Sequence, residues 1–124
     1  MGQSAPLHRH PELVIEDEPV LRVDAIAMVE EAGFEAIEAT SADDAIALLA
    51  SRPDIRIVYM DLDMPRGVKG IEVAAAIRDR WPPIELLLIS SHPWKDDELP
   101  HRGVLIGKPF DRRRIVDQLR RFAA

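Results

Sequence analysis

Residues 58–65 read VYMDLDMP, and this short stretch sets the fold class of the chain. It closes the run IRIVYM (55–60), whose nearly unbroken hydrophobic character is typical of a parallel-sheet strand covered on both faces. The run stops at Asp61, and Asp63 follows two residues later. A carboxylate at the end of a buried strand can store a phosphoryl group, act as a hydrolytic nucleophile, or simply be the polar end of the strand.

The rest of the chain repeats this alternation of apolar runs and helical patterns. The apolar runs are LVI (13–15), AIEA (36–39), IRIVYM (55–60), LLLI (86–89) and VLI (104–106). Helical spacing of apolar residues marks 19–32, 42–51 capped by Ser41, 71–80, and a last segment capped by Asp111. Two prolines leave 92–102 room for roughly one or two helical turns. The order predicts an α/β fold: a doubly wound five-stranded parallel sheet with helices on both faces and a short or irregular fourth helix.

Length and composition restrict the classes of protein and of site. The 124 residues suffice for one domain, which we place at 12–124 after a flexible leader at 1–11. The lack of cysteine excludes disulfides, thiolate zinc sites and thiol nucleophiles. A formal charge of −6 weighs against broad electrostatic binding to nucleic acid or anionic lipid, and no stretch resembles a signal peptide or membrane span. We therefore expect a cytoplasmic protein without nucleic-acid or membrane partners.

Polar side chains that could share one site follow four of the five apolar runs. In doubly wound sheets, ligands bind beyond the carboxyl ends of the strands. The residues at these positions are Glu16 and Asp17, Asp61 and Asp63, Ser90 and Ser91, and Lys108. Each alone is ordinary, because helix caps and solvated turns also follow strands. Their occurrence together, in this order, favours a site for phosphoryl chemistry, which needs mainly positioning and neutralisation of charge.

The carboxylates would converge if the first and third strands are neighbours. Two carboxylates about 4 Å apart repel by roughly 4 kcal/mol at an effective dielectric near 20, so such a cluster must protonate or bind a cation. Hard oxygen ligands that leave places for water and phosphate suit Mg²⁺ better than zinc. Lys108 could hold an incoming phosphoryl oxygen, and a serine hydroxyl could hydrogen-bond another.

Three segments resemble the signatures of the response-regulator receiver domain of two-component signalling. They are LVIEDEPVLR (13–22), VYMDLDMPRGVKGIEV (58–73) and GKPFD (107–111). The resemblance covers almost the whole chain and implies a flavodoxin-like sheet with strand order 2-1-3-4-5. It also implies that a histidine kinase or a histidine phosphotransfer protein phosphorylates Asp61 in a two-component system or phosphorelay. The phosphoryl group would then switch a protein-binding surface.

The resemblance also assigns roles to the other residues of the site. Asp17 and Asp61 would bind Mg²⁺ directly, and Glu16 would act mainly through water. The backbone carbonyl of Asp63 would complete the metal site. Lys108 would pair with the phosphoryl group.

The peptide bond before Pro109 is one that is often cis in the family. Two other features depart from the commonest receiver pattern. Receivers usually place Thr or Ser after the fourth strand, where Ile89 and Ser90 compete here, and the end of the apolar run favours Ser90. The family often has Tyr or Phe three residues before the lysine, and this chain has Leu105. We therefore expect the output to involve the segment 92–102.

A phosphatase with a haloacid-dehalogenase-like fold is the alternative, because that superfamily also uses a strand-end Asp-x-Asp followed by Ser or Thr and then Lys. Asp61 would be its nucleophile and Asp63 its general acid. Its metal-binding acids usually follow the lysine, whereas here they precede it, and no cap domain fits in the chain. We therefore expect no enzymatic turnover beyond gain and slow loss of the phosphoryl group.

The last helix closes the sequence, so we expect a stand-alone receiver whose downstream partner is a protein. Its arginines are more typical of a solvated helix face than of a nucleic-acid interface, given the negative charge of the chain. The identity of the kinase and the oligomeric state leave no signal in the sequence.

Overall fold

Strands and helices alternate along the part of the chain that the computed structural model describes, which is residues 9–63 and 69–124. The strands are β1 (Pro11–Ile15), β2 (Glu35–Ala39), β3 (Ile57–Asp61), β4 (Glu85–Ser90) and β5 (Gly103–Gly107). The helices are α1 (Pro19–Glu31), α2 (Ala42–Ser51), α3 (Gly70–Arg80) and α4 (Arg112–Ala123). A single 3₁₀ turn (Asp96–Glu98) stands between β4 and β5. The prediction of a short or irregular fourth helix is confirmed.

All strand pairs are parallel, and the order across the sheet is β2-β1-β3-β4-β5. The predicted order 2-1-3-4-5 is therefore confirmed. In the register of β1 with β3, Ile15 lies opposite Met60, so the residues that follow both strands reach the same edge of the sheet. β4 and β5 lie beyond β3 in turn, and Ser90 lies opposite Gly107. The strand order thus assembles the predicted site residues at one edge.

The core lies on both faces of the sheet, which explains the unbroken apolar run of β3. Val58 and Met60 pack into the layer beneath α2 and α3, whereas Ile57 and Tyr59 pack into the layer beneath α1 and α4. All four side chains are buried. Full burial of a side chain of this size contributes about 1.5–3 kcal/mol, so the central strand anchors both layers.

Local capping fixes where the helices begin and end. The Ser41 hydroxyl accepts a hydrogen bond from the Asp44 N–H at 3.1 Å, and the Asp111 carboxylate accepts one from the Arg113 N–H at 2.9 Å. Both predicted N-caps are confirmed. After α1, Gly33 has a φ of +101°, a conformation that side chains with a Cβ rarely adopt. These caps set the lengths of the loops that lead into and out of the sheet.

The amino-terminal boundary lies earlier than the sequence suggested. Pro11 already belongs to β1, and the carbonyl oxygen of His10 accepts a hydrogen bond from the Glu35 N–H at 2.9 Å. Strand pairing to β2 therefore begins before residue 12, which corrects the end of the predicted leader. The prediction of a flexible leader otherwise falls on residues 1–8, outside the described residues. In the described part of the chain, no helix has the length and apolar character that crossing a membrane requires.

Candidate functional site

The carboxyl edge of the sheet brings together side chains from four strand ends. Asp61 is the last residue of β3, and it is buried with 3% of its surface exposed. Glu16 follows β1, is also 3% exposed, and shares a hydrogen bond with Asp61. Lys108 follows β5, and its Nζ donates to Oδ2 of Asp61 at 2.7 Å. The predicted meeting of Glu16, Asp61 and Lys108 is therefore observed.

The carboxyl groups of Glu16 and Asp61 are in contact, and this contact affects the pKa of Glu16. Burial, together with the hydrogen bond and the negative charge of Asp61, raises the pKa of Glu16 to about 8 against the opposing effects of the Glu18 N–H and Lys108. Glu16 therefore keeps a proton at neutral pH that an exposed glutamate would lose. Its Oε2 also accepts the Glu18 N–H at 3.1 Å, which aims the carboxyl group at the site.

Asp17 occupies the turn between β1 and α1, next to Glu16, and is half-buried. The guanidinium of Arg22 supports this turn, because its Nη1 donates to the Glu16 carbonyl oxygen at 3.1 Å. Arg22 also pairs with Glu38 at the end of β2 at 3.2 Å. The helix N-cap is Glu18, whose carboxylate accepts the N–H groups of Val20 and Leu21. The cap of α1 is therefore Glu18 and not Asp17.

The side chain of Asp63 turns back into the site, which the sequence prediction did not include. Its Oδ1 accepts the Ser90 hydroxyl at 2.7 Å, and its Oδ2 accepts the Ser91 N–H at 2.8 Å and the Ser91 hydroxyl at 3.0 Å. Lys108 Nζ lies 3.2 Å from the same Oδ2. Partial burial disfavours the charge on Asp63, but these four donors outweigh it and lower its pKa to about 2. Asp63 is therefore a firmly ionised acceptor.

Lys108 bridges the two aspartates. Desolvation lowers its pKa, but the ion pairs with Asp61 and Asp63 have the larger combined effect, so the pKa is raised and the ammonium stays charged. The Asp63 N–H in turn donates to Oδ1 of Asp61 at 2.7 Å. Each oxygen of the Asp61 carboxylate therefore has a donor directed at it. Such donors would equally stabilise a more highly charged group bonded to Asp61.

The structure places the serine hydroxyl rather than Ile89 at this cluster. Ile89 is fully buried in the apolar layer beneath α1 and α4. Ser90, the last residue of β4, is 1% exposed, and its backbone carbonyl accepts the Lys108 N–H at 2.9 Å. Since alternate strand residues face opposite sides, Ile89 and Ser90 cannot exchange roles without a slip of the strand. Of the two alternatives, Ser90 has the hydroxyl within the site.

Trp94 is a further member of the cluster that the sequence analysis did not assign to it, because nothing in its sequence context indicates a site. Ser91 was among the polar residues expected at this edge, without a role of its own. The Trp94 indole Nε1–H donates to the Ser90 hydroxyl oxygen at 3.2 Å, and the His92 N–H donates to it at 3.0 Å. The repeated serine at 90–91, together with Asp63, was the available signal, because paired hydroxyls after a strand need an acceptor.

The carboxylates at this edge fit a hard divalent cation. No three acidic or histidine side chains within residues 9–63 and 69–124 form a ready-made metal cage. A cation would thus take a few carboxylate oxygens and complete its shell with backbone oxygen and water, as Mg²⁺ commonly does. The raised pKa of Glu16, which is buried and hydrogen-bonded to Asp61, shows that positive charge is favoured at this position. A divalent cation there would favour the ionised form of Glu16.

The turn after β5 carries the remaining predicted features. The Lys108–Pro109 peptide bond is cis, as predicted. Leu105, in β5, packs as a partly buried side chain against the layer beneath α2 and α3. Trp94 and Leu99 pack against the same layer. An aromatic side chain therefore does stand near the fourth and fifth strand ends, but it comes from the 92–102 segment and not from position 105.

The geometry favours a phosphoryl acceptor over a hydrolase of the haloacid-dehalogenase type. A general acid must hold a proton near neutral pH, so it needs a raised pKa. Asp63 has the opposite property, because its four donors lower its pKa to about 2. Asp61, by contrast, is buried beside the ammonium of Lys108, which would compensate the charge of a bonded phosphoryl group.

Comparison with known proteins yields a consistent set of matches. The sequence model of the response regulator receiver domain family matches residues 13–120. The hydrogenase transcriptional regulatory protein HoxA of Cupriavidus necator is 34% identical over 85 residues, which are 68% of this chain and 17% of HoxA. The phosphate regulon transcriptional regulatory protein PhoB of Pseudomonas aeruginosa is 27% identical over 117 residues, covering 87% of this chain and 49% of PhoB. The chain thus spans about half or less of the length of these relatives.

Solved structures share the fold over nearly the whole chain. The chemotaxis response regulator CheY4 of Vibrio cholerae superposes with a TM-score of 0.76 at 21% identity, covering 93% of this chain and 99% of CheY4. A CheY-like receiver domain protein from Methanospirillum hungatei gives a TM-score of 0.78 at 14% identity, covering 92% of this chain and 93% of that protein. At these identities the likeness establishes the fold alone.

Proposed function

The chain belongs to the response regulator receiver domain family, and on that premise we propose that Asp61 is its phosphoacceptor. The carrying observation is the 2.7 Å ion pair of Lys108 Nζ with Oδ2 of Asp61 beside the buried Glu16. The carboxylate of Asp61 thus lies beside both the ammonium of Lys108 and the carboxyl group of Glu16. Phosphoryl transfer requires such positioning and charge neutralisation more than covalent help from the protein.

The donor is a phosphohistidine on a histidine kinase or a histidine phosphotransfer protein. A carboxylate oxygen of Asp61 bonds to phosphorus while the bond from phosphorus to the histidine nitrogen breaks. The nitrogen keeps the bonding electrons, and because the other ring nitrogen of the phosphohistidine carries a proton, the leaving group is a neutral imidazole. Lys108 holds one of the developing phosphoryl charges, and Ser90 is within reach to hydrogen-bond another oxygen. The result is a one-time modification, so this domain is a phosphorylated switch and not an enzyme with turnover.

Mg²⁺ is the proposed cofactor of this transfer. Asp17, Asp61 and the backbone carbonyl of Asp63 would hold it, with Glu16 acting through water. When bound, the cation supplies charge neutralisation for the acceptor carboxylate and the incoming phosphoryl oxygens. The raised pKa of Glu16, buried beside Asp61, supports this proposal, because a divalent cation would favour the ionised form of Glu16.

The partners follow from the surface next to the site. At the start of α1, directly after the acidic pair, Val20 and Val23 are 73% and 68% exposed. A helical phosphodonor domain that brings its histidine to Asp61 must cover this end of α1, and the apolar side chains suit such a contact. We assign the output to a protein partner and the location to the cytoplasm. The arginines of α4 support a protein over DNA, because Arg112 is already paired with Asp24 and Glu31.

Labelling with acetyl phosphate tests the proposal, because this small donor needs no kinase. Incubated with Mg²⁺, the chain should gain one phosphoryl group that alkali and hydroxylamine remove, as they remove an acyl phosphate, and acetate should leave. Asp61→Asn should abolish the labelling, because an amide nitrogen cannot replace the carboxylate nucleophile. Glu12→Gln, at the opposite end of β1, is the matched control and should be labelled like the parent.

A phosphatase would behave differently in the same assay. It would release phosphate continuously from small phosphate monoesters, with the Asp63→Asn variant losing that turnover. Sustained turnover on monoesters, or undiminished labelling of Asp61→Asn, would overturn the proposal.

A further inference from the structure

We propose that the side chains of Asp63, Ser90 and Trp94 form the switch of this domain, with the Asp63 carboxylate holding in the resting state the donors that a phosphoryl group on Asp61 would claim. This inference rests on the proposed function of Asp61. Trp94 would couple the site to the 92–102 segment, because its indole N–H donates a hydrogen bond to the Ser90 hydroxyl.

The first observation is the set of donors on Asp63. Two hydroxyl groups, one backbone N–H and one ammonium converge on its two oxygens at 2.7 to 3.2 Å. Such a set of donors resembles what a protein offers to an oxyanion. Lys108 and Ser90 are also the groups expected to contact a phosphoryl group on Asp61, and Lys108 already contacts both carboxylates. Asp63 therefore competes with the phosphoryl group for the same partners.

The second observation is that one hydroxyl group anchors the start of the 92–102 segment. The Ser90 Oγ donates to Asp63 and accepts from both the His92 N–H and the Trp94 indole N–H. Because a hydroxyl has one hydrogen and two lone pairs, these three bonds use its full capacity. If its hydrogen turns from Asp63 towards a phosphoryl oxygen, the lone pairs turn with it. At least one of the two accepted bonds must then lengthen or break.

The third observation is the low burial of the start of this segment. The 3₁₀ turn contains no buried residue, and Ser91, His92 and Pro93 are exposed. Trp94 is half-buried, packs against the core layer shared with Leu105, and has the His92 ring at 4.5 Å in an edge contact. Segments with few buried contacts open at low free energy, so a rotated hydroxyl is enough to shift this one. Trp94 thus supplies, next to the Ser90 hydroxyl, the aromatic side chain that this chain lacks at position 105.

The indole N–H of Trp94 gives a direct NMR readout. The chain has two tryptophans, so a ¹⁵N-labelled sample shows two indole resonances, and Trp81→Phe assigns them. Beryllofluoride with Mg²⁺, a mimic of the phosphoryl group, should move the Trp94 resonance strongly and that of Trp81 little. Ser90→Ala should move the Trp94 resonance already in the resting protein and remove its response to beryllofluoride. Ser51→Ala, which removes an exposed hydroxyl of α2 outside the cluster, is the control and should keep the response.

Asp63 is tested in the same spectra. Asp63→Ala releases the Ser90 hydroxyl, so the resting Trp94 resonance should shift towards its beryllofluoride position without any phosphoryl mimic. An unmoved Trp94 resonance in the parent chain, under conditions where acetyl phosphate labels Asp61, would overturn the inference and leave the proposed function intact. Absence of labelling at Asp61 would instead overturn the proposed function itself.

Discussion

Two buried glutamates lie at opposite ends of β1, and they have the same altered acidity for different reasons. Burial raises the pKa of Glu12 to about 8, and burial together with Asp61 raises that of Glu16 to about 8. Glu16 has the Glu18 N–H, Asp61 and Lys108 around it. Neither oxygen of Glu12 has a hydrogen-bond partner in the described part of the chain. Glu12 lies instead beside Phe34, Ile57 and Phe122 at the amino edge of the sheet.

A raised pKa therefore indicates a functional group only when the neighbouring residues also suit a function. Glu16 stands among a second carboxylate, an ammonium and hydroxyl groups, so its proton marks a site that a cation can occupy. Glu12 faces mainly apolar side chains, with no charged group bonded to it, and its proton reflects desolvation alone. At the carboxyl edge, the surrounding polar groups offset the cost of burying Glu16. At the amino edge, the burial of Glu12 lowers the stability of the fold.

The largest expected effect is on the stability of the fold when Glu12 is replaced. Glu12→Leu should raise the free energy of unfolding by about 3 kcal/mol at pH 7, because an unfolded glutamate would release a proton that the folded one must keep. Glu12→Gln is the matched control and should gain less, because its amide remains without a partner. Urea unfolding of the three proteins measures this. A Glu12→Leu protein less stable than the parent would show that the carboxyl group has a partner in solution.

The second effect is on the pH dependence of stability. Between pH 4.5 and 8 the folded chain holds the Glu12 proton and the unfolded chain does not, so stability falls as pH rises by about 1.4 kcal/mol per unit for this group. Glu12→Leu should remove that contribution, and the pH slope of its unfolding free energy should be shallower across this window. Unfolding midpoints at several pH values test the sign. An unchanged slope would mean that Glu12 ionises normally in the folded protein.

The smallest of the three effects is the stabilisation by Mg²⁺, and it separates the two ends of β1. At ten times its dissociation constant, a ligand that binds only the folded state stabilises it by about 1.4 kcal/mol. Asp17→Ala should lose the rise in melting temperature that Mg²⁺ produces, because that carboxylate is a proposed ligand. Glu12→Leu should keep it in full. If Mg²⁺ no longer raised the melting temperature of the Glu12→Leu protein, the cation would bind at the amino end of β1 and not at the proposed site.

The sequence predicted the fold well because its signals were local and strong. The apolar run of β3 is covered on both faces, and Ser41 and Asp111 cap helices through their own side chains. Convergence of Glu16, Asp61 and Lys108 followed from the rule that ligands bind at strand ends. These predictions needed only the order of elements along the chain.

The features that the sequence did not reveal depend on where side chains turn in three dimensions. Asp63 was assigned a role through its backbone carbonyl, yet its carboxylate crosses to the hydroxyl groups after β4. Trp94 contributes an indole N–H to the same cluster. Glu12 directly precedes the apolar run LVI (13–15), yet it is fully buried, and it lies near Phe34 and Phe122 at the amino edge of the sheet. Such contacts join residues far apart in sequence, and no local pattern encodes them.

We propose that the carboxyl edge of the sheet accepts a phosphoryl group at Asp61. Reduction of the acetyl phosphate-labelled chain with borohydride, followed by peptide mass spectrometry, tests it most directly, because an acyl phosphate of aspartate is reduced to homoserine. We predict homoserine at position 61 and at no other aspartate, with none formed when Mg²⁺ is chelated. Homoserine at position 17 or 63, or a stable label on a histidine, would contradict the account.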